Sequence, residues 1–355
     1  MRKLLVLLSL TALVSVASAQ SDVVEYLKAG PEDASLLIQS YMNPFAQSLG
    51  DGLNNGWYYT AETHKRFGFD FSMSVSAVKV PGSAKSFDLS QFSFENIALA
   101  DPSNSMAPTI SGNDAQGPTL NVLNPDNNNQ VLYSFNAPGG TEIDIVPVPV
   151  AQLGIGLLPH TDVLVRYVPE LKFNLEDDSD EETKVGMFGL GVKHSFKDWI
   201  PGLKHLPFDA AVFASYSNIT ANTGISFTPE DYDSRLADLN TGQYENQELD
   251  IETKTKKFGL IVSKKIAILT IFGSIGNSQS SSKVDLLGTY PVPNDFNNAG
   301  LSFEDQVDPI KLRFESSNLS LDAGLRLKLA FFNIFASVNK AEYTSYNAGI
   351  ALSVR

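Results

Sequence analysis

The chain alternates apolar and polar residues along several stretches, and this alternation constrains the fold more than any other feature. In residues 67–77 every odd position is apolar and every even position is polar or glycine. The apolar positions are Phe67, Phe69, Phe71, Met73, Val75 and Ala77. Residues 321–329 and 345–352 repeat the alternation. Because strand side chains point alternately to two faces, the pattern predicts strands with one apolar and one polar face.

The N-terminus predicts export. Met1-Arg2-Lys3 is basic, residues 4–16 form the apolar run LLVLLSLTALVSV, and Ala17-Ser18-Ala19 places small residues at a cleavage site before Gln20. This order of charge, apolar core and small residues is that of a secretory signal peptide. The apolar run is too short to cross a bilayer, which takes about 20 residues. We therefore predict a cleaved signal peptide over residues 1–19.

The composition excludes several classes of function. The 355 residues include no cysteine, which excludes a thiol nucleophile, a cysteine-ligated zinc and a haem-attachment motif. A formal net charge of −14 without a basic cluster argues against binding to nucleic acid. No long apolar run follows residue 20, so a helical membrane protein is excluded. A soluble secreted β protein or a transmembrane barrel remains, because barrel strands alternate and escape a hydropathy search.

One stretch, residues 32–49, predicts a helix. Gly30-Pro31-Glu32-Asp33 suits a helix start, with proline in the first turn and acids at the positive end of the dipole. Apolar residues follow at three- and four-residue spacing, and the candidate hatch residues among them are Leu37, Ile38, Tyr41 and Phe45. Pro44 is expected to bend or end the helix. Because the helix precedes the first strand, we expect it to begin on the periplasmic side.

Two features favour a barrel over a soluble sandwich, which also alternates. Connections near 159–162, 263–265 and 330–333 are short, whereas those at 100–130, 173–183, 220–250 and 277–310 are long and polar. Outer-membrane barrels have short periplasmic turns and long outer loops. The polar faces also carry ions and amides, which suit a water-filled or plugged lumen. The candidate lumen-lining residues are Asp70, Arg166, Asp209, Asp322, Arg326, Lys328 and Asn347.

The predicted fold class is all-β transmembrane: an antiparallel outer-membrane β-barrel of about 12–14 strands, preceded by a short helical segment. Residues 20–56 are assigned to an N-terminal hatch or plug, and residues 57–355 to the barrel. The helix fills the barrel or lies beneath it.

The stretches Asn54–Tyr58 through His64–Asp70, and Gly191–His194 through Trp199–Leu203, resemble those of an uncharacterised family of Bacteroidota barrels of this length. The order of signal peptide, short helical segment and barrel is also similar in architecture to the FadL-like long-chain fatty acid transporter family. That second resemblance implies a hatch inside a barrel of about fourteen strands and uptake of hydrophobic molecules.

The sequence offers no support for catalysis, and no enzyme, cofactor or metal site is predicted. The four histidines, His64, His160, His194 and His205, lack the spacing of a helical zinc site, and there is no G-x-S-x-G motif. Each histidine is interpreted as a solvated turn or interface residue. Residues 176–182 contain six acids among seven positions and are interpreted as a solvated outer loop, with a Ca²⁺ site as the alternative.

Two aromatic stretches are interpreted as interfacial. Trp199–Pro207 combines tryptophan, leucine and lysine between two strands, as expected at a membrane–water boundary on the periplasmic side. A docking site for a periplasmic partner is the alternative. Trp57, Tyr58 and Tyr59 are expected to belong to the same aromatic girdle.

Three functional hypotheses follow. The first is a passive channel or transporter for small or hydrophobic molecules in the outer membrane. The second is a structural or adhesive outer-membrane barrel that acts through its long acidic loops. The third is a soluble secreted β-sandwich binding protein. The expected partners are outer-membrane lipid and lipopolysaccharide, the barrel-insertion machinery and, for a transporter, hydrophobic small molecules.

Overall fold

The chain is built around one closed antiparallel sheet, as described by a computed structural model. The structure describes residues 23–124, 127–174, 182–202, 204–232, 234–239, 242–297 and 300–354. No helix within these ranges is long and apolar enough to cross a bilayer. One long helix, α1, spans Pro31–Asn54 and precedes all the strands.

The strands follow α1 in a single run along the chain. They are β1 (Phe69–Lys79), β2 (Ser86–Asp88), β3 (Ile97–Leu99), β4 (Met106–Pro108), β5 (Thr119–Asn124), β6 (Asn127–Asn136), β7 (Ile145–Leu158), β8 (Thr161–Asn174), β9 (Glu182–Ser195), β10 (Asp209–Ile225), β11 (Gln247–Ile266), β12 (Leu269–Leu287), β13 (Thr289–Asn297), β14 (Gly300–Val307), β15 (Ile310–Leu329), β16 (Phe332–Lys340) and β17 (Thr344–Val354). Ten of them close the barrel in the order β1-β17-β16-β15-β12-β11-β10-β9-β8-β7, and β7 pairs again with β1.

The predicted fold class is confirmed, and the predicted strand count is corrected. The barrel has ten strands instead of about 12–14. Residues 57–62 form no strand, residues 86–98 and 118–136 contribute to small sheets outside the barrel, and residues 310–317 belong to β15. Alternation does not distinguish a barrel strand from a strand of a small loop sheet, because both have one buried face. The hypothesis of a soluble β-sandwich is wrong, since one closed sheet replaces two packed sheets.

The two ends of the barrel differ in the length of their connections. At the end that we call the short-turn end, two residues each connect β7 to β8, β11 to β12 and β15 to β16, and residues 196–208 connect β9 to β10. The turn predicted at 263–265 lies at 267–268 instead, because β11 continues to Ile266. At the opposite end, the loop end, the connections are 80–144, 175–181, 226–246, 288–309 and the short 341–343. The rule that outer-membrane barrels have short periplasmic turns and long outer loops predicts that the loop end faces outward from the cell.

The outer face of the barrel carries an apolar belt next to the short-turn end. On β15, for example, Leu321, Leu325 and Leu327 are 46%, 50% and 40% exposed, and Asp322 and Arg326 between them are buried. Comparable exposed residues occur on β1, β9, β11, β16 and β17. Each of the ten barrel strands carries at least one exposed large apolar or aromatic side chain, which indicates a face that contacts lipid.

The polarity of the two faces inverts along the longest strands. Near the short-turn end of β11, Phe258 and Leu260 point outward and Lys257 is buried. Near its loop end, Leu249 and Ile251 are buried instead. The outward residues there are Glu248, Asp250, Glu252 and Lys254. On β15, Leu312 and Phe314 near the loop end are likewise buried apolar residues, at positions of the same face that carries Asp322 and Arg326 further along the strand. The barrel wall therefore continues beyond the lipid into water, where an apolar interior replaces the polar one.

Helix α1 enters the barrel from the loop end. Asp33 near its start accepts hydrogen bonds from the backbone N–H groups of Glu95 and Asn96 in the 80–144 connection (2.9 and 2.8 Å). Asn54 at its end donates to the Ser278 hydroxyl on β12 (2.8 Å). The expectation that the helix begins at the same end as the first strand is therefore wrong, because β1 starts at the short-turn end. Sequence order alone does not tell from which end a segment enters a barrel.

The helix is longer than predicted and runs through Pro44 to Asn54. A proline inside a helix costs about 3 kcal/mol. Burial on both sides of it offsets this cost, since Met42, Phe45 and Leu49 pack in the apolar core formed with the barrel wall. The candidate hatch residues Leu37, Ile38, Tyr41 and Phe45 all belong to that core.

The absence of cysteine allows a direct test of the orientation. Single cysteines replacing the exposed Ser83 in the 80–144 connection and the exposed Lys265 near the short-turn end are compared on intact cells. We expect a membrane-impermeant maleimide to label Ser83→Cys on intact cells and Lys265→Cys only after the outer membrane is permeabilised. The reverse labelling pattern would contradict the orientation.

Candidate functional site

The candidate functional site is the barrel lumen, which the chain fills with its own N-terminal part. Helix α1 occupies the loop half, and residues 55–64, the lumen segment, continue toward the short-turn end before β1 begins at Phe69. Gly56 makes the turn between the two with φ of 71°. A Cβ atom there would lie 2.6 Å from Nδ2 of Asn347, so only glycine fits.

Arg166 on β8 binds the end of helix α1. Its Nη1 donates to the carbonyl oxygen of Leu53 (2.8 Å), and its Nη2 donates to that of Asn55 (2.9 Å). Nε donates to Oε1 of Gln152 (3.0 Å), and the guanidinium stacks 3.8 Å from the ring centroid of Trp57. A cation at a helix C-terminus satisfies unpaired carbonyls and complements the helix dipole. The fully buried Arg166 thus fixes the plug to the wall.

A second contact joins the lumen segment to the opposite side of the barrel. The Tyr58 hydroxyl donates to Oδ2 of Asp322 (2.9 Å), which also lies 3.0 Å from Nζ of Lys257. Asn339 donates to Oδ1 of the same carboxylate (2.9 Å). Because this carboxylate is buried, its charge requires these partners.

A third contact centres on His64. Its Nδ1 lies 3.0 Å from Oδ2 of Asp162, and its backbone N–H donates to Oδ1 of the same side chain (2.8 Å). Its Nε2 lies 3.4 Å from Oδ1 of Asp70. Lys193 approaches Asp162 at 3.2 Å. The interpretation of His64 as a solvated turn residue is therefore wrong, because the lumen segment buries it between two carboxylates.

This arrangement differs from a hydrolase triad. Both ring nitrogens of His64 face carboxylates, so neither is directed at a hydroxyl nucleophile. Within the described ranges, no group of three or more histidine, aspartate or glutamate side chains could hold a metal ion.

The aromatic residues at the start of the lumen segment pack inside the barrel. Tyr59 stacks on Phe335 with ring centroids 4.6 Å apart, and Tyr58 meets Phe213 edge-on at 4.9 Å. Trp57 is 1% exposed. Their predicted place in a membrane girdle is therefore wrong. Their rings contact aromatic residues of the barrel wall, and the hydroxyl groups of Tyr58 and Tyr59 donate to its carboxylates.

The predicted lumen residues separate by depth. The buried ones are Asp70, Arg166, Asp322, Arg326 and Asn347. Asp209 and Lys328 lie near the short-turn end and are half-buried, with Asp209 3.9 Å from Lys197. Alternation identifies the face of a strand and carries no information on depth.

Sequence reasoning missed several residues of the site, namely Asp162, Lys193, Lys257 and His64. Lys193 and Lys257 each lie next to an exposed apolar residue, Val192 and Phe258, so the alternation rule would have found them. Asp162 lies at the start of β8, next to the half-exposed Thr161 and Val163. No periodic signal exists for His64, because the lumen segment is not a strand.

Two predicted surface features lie elsewhere. Trp199 is 67% exposed at the short-turn end and packs against His194 with ring centroids 4.6 Å apart, and its interfacial role stays a prediction. Most of the acidic stretch 176–182 falls outside the described residues. Its last member, Glu182, lies 3.3 Å from Lys172 on β8.

A small cavity lies in the polar half of the lumen, beside the lumen segment. The cavity beside Trp57, Tyr59, His64 and Lys193 measures about 10 Å³. A single water molecule needs a cavity of roughly this size.

Removing the Arg166 contact should destabilise the folded barrel. Arg166→Met leaves the buried carbonyls of Leu53 and Asn55 without this donor, and we expect a loss of about 3 kcal/mol in the free energy of unfolding. Denaturant unfolding in detergent, followed by tryptophan fluorescence, measures it. Lys172→Met on the same strand is the control and should change stability by less than about 0.5 kcal/mol. Equal stabilities of the two variants would contradict the role of Arg166.

Asp51 in α1 should make stability depend on pH. Burial raises the pKa of its carboxyl to about 6, although the Tyr343 N–H donates to it (2.7 Å). The folded protein therefore retains a proton that the unfolded chain, with a pKa of about 3.9, has released. Stability falls as pH rises through this window, by up to about 3 kcal/mol above pH 6.

Asp51→Asn should abolish this dependence, because the amide oxygen still accepts from Tyr343 and carries no charge. We expect the variant to melt at a higher temperature than wild type at neutral pH and at a similar temperature near pH 4. The exposed Glu32→Gln in the same helix is the control. The prediction would be contradicted if Asp51→Asn and wild type had the same melting temperature at neutral pH.

Comparison with solved structures finds outer-membrane proteins at low identity. OmpT, an outer membrane protease from Escherichia coli, is 9% identical with a TM-score of 0.31, over 83% of this chain and 100% of that one. Ail, the attachment invasion locus protein of Yersinia pestis, solved with a heparin analogue, is 9% identical with a TM-score of 0.28, over 82% and 100%. The translocator domain of the autotransporter NalP from Neisseria meningitidis is 10% identical with a TM-score of 0.29, over 91% and 98%.

No curated protein matches the sequence. The family match covers nearly the whole chain, residues 1–354. The chain belongs to the family of unknown function DUF6588.

Proposed function

We propose that this protein is an outer-membrane barrel that is closed to passive diffusion and acts through its loop end, as a structural or adhesive surface. The observation that carries the proposal is the apolar core between α1 and the loop half of the barrel. A plug held by an apolar core is part of the fold. The proposed role is non-catalytic.

The size of this core supports permanent closure. Six large apolar side chains of α1 are buried in it: Leu37, Ile38, Met42, Phe45, Leu49 and Leu53. Exposing them to water would cost about 9–18 kcal/mol, at roughly 1.5–3 kcal/mol each. This cost is comparable to the whole stability of a typical domain, about 5–15 kcal/mol. Spontaneous release of the helix is therefore too rare to supply a steady diffusion path.

The loop end also has the extent that a binding surface needs. The 80–144 connection carries two small sheets, and the hairpin of β13 and β14 adds a third. Asp33 and the Tyr41 hydroxyl, which donates to the Gly139 carbonyl (3.0 Å), attach the 80–144 connection to α1. The plug thus supports the outer surface as well as closing the lumen.

Gated transport is the second candidate, favoured by the polar contacts of the lumen segment. The hydrogen bond from Tyr58 to Asp322 and the His64 contacts are separate polar contacts that break one at a time, unlike an apolar core. Movement of residues 55–64 would then leave a charged lining suited to water and small polar solutes.

Conductance separates the two candidates. The full chain in a planar lipid bilayer should give no steady current, and the paired variant Lys257→Met with Asp322→Asn should stay closed, because α1 still fills the loop half. Heat-modifiable gel mobility confirms that the variant has folded. Steady current from wild type would contradict the closed barrel, and current from the variant alone would favour gated transport.

Shortening one outer loop tests the surface role. Ile225 and Gln247 are paired at the ends of β10 and β11, so a short turn can replace residues 226–246 without changing the strand register. We expect weaker attachment of expressing cells to polysaccharide- or protein-coated surfaces and unchanged permeability to antibiotics. A rise in permeability with unchanged attachment would contradict the proposal.

A further inference from the structure

A groove lies on the outer face of β11, β12 and β15, away from the lumen. Its volume is about 510 Å³. Lys254, Lys256, Gln279 and Glu315 form its sides, and serines of β12 and β15 line the rest. Because serine is short, the long side chains around it leave a depression in an otherwise continuous wall.

The strand register puts this groove at the edge of the apolar belt. Lys256 pairs with Gln279, and Gln279 pairs with Ser317. The next row toward the short-turn end contains Phe258 and Leu319, which are 53% and 62% exposed. Successive rows on one face of a strand are about 7 Å apart. The lysines therefore lie directly above the lipid-facing residues, at the level of lipid headgroups on the loop side.

The charges around the groove favour an anion close to the membrane. In the row next to the belt, Lys256 is the one charged residue, and no ion pair to it is found among the described residues. In the following row Lys254 lies 2.8 Å from Oε1 of Glu252, whose Oε2 is 3.8 Å from Lys283. Glu315 pairs with Ser281 in the same row, and its negative charge repels an anion there.

We propose that this groove binds the phosphorylated headgroup of an outer-leaflet lipid, of the lipopolysaccharide type. Lysine ammonium groups attract phosphate as point charges, and near a membrane surface each contributes measurably to binding an anionic lipid. The hydroxyl groups of Ser281 and Ser317 supply neutral donors for phosphate oxygens. The acyl chains of such a lipid then lie along Phe258 and Leu319, so one lipid molecule contacts both the groove and the apolar belt.

The test uses the full chain in phosphatidylcholine nanodiscs titrated with diphosphoryl lipid A, with bound lipid counted by native mass spectrometry. We expect Lys254→Gln with Lys256→Gln to weaken binding about tenfold or more. Glu315→Gln should strengthen binding, since it removes the opposing charge. Lys264→Gln with Lys265→Gln, at the short-turn end of the same strand, is the matched control and should bind like wild type.

Each arm of the experiment supports or overturns the site. Unchanged binding by the Lys254 and Lys256 variant, with normal heat-modifiable mobility, overturns it. Equal binding of dephosphorylated lipid A overturns phosphate recognition. Displacement of lipid A by micromolar inorganic phosphate overturns the lipid as the ligand, because the site would then take the free anion. These outcomes are independent of conductance and attachment, so the proposed function stands or falls separately.

Discussion

The width of the barrel is the constraint on which the rest of the structure depends. A barrel of about eight strands is narrow enough for its own side chains to fill. Ten strands enclose a wider space, and the chain fills it with helix α1 and residues 55–64. The buried polar atoms of the wall must then find partners on the plug. Arg166, Asp322 and Asp162 do so through carbonyl oxygens, a hydroxyl and an imidazole.

The inverted polarity of β11 and β15 follows from the surroundings of each half. Beside lipid, the outer face is apolar, and the inner face carries charges that bind the lumen segment. Beyond the lipid, water contacts the outer face, so charged residues lie there and Leu249, Ile251 and Phe314 turn inward onto α1. The plug matches this change, since its helix presents mainly apolar side chains to the barrel wall and the segment after it is polar and aromatic. The groove at Lys254 and Lys256 lies where the inversion occurs.

The direction of α1 links the outer surface to the short-turn end through one continuous stretch of chain. Its first turn contacts the 80–144 connection, and its C-terminus is held by Arg166 in the middle of β8. The lumen segment then continues to β1. The stretch of chain that fills the lumen therefore also contacts the connections at the loop end.

The sequence by itself determined the strands, their two faces and the inward side chains of Arg166, Asp322, Arg326 and Asn347, because a period of two residues is a local property of extended backbone. The amphipathic helix with Leu37, Ile38 and Tyr41 was equally readable. Only the tertiary structure decided the number of barrel strands, the end from which α1 enters, and the burial of Trp57 and His64. These depend on which strands pair and on what fills the space they enclose, and neither is encoded in local spacing.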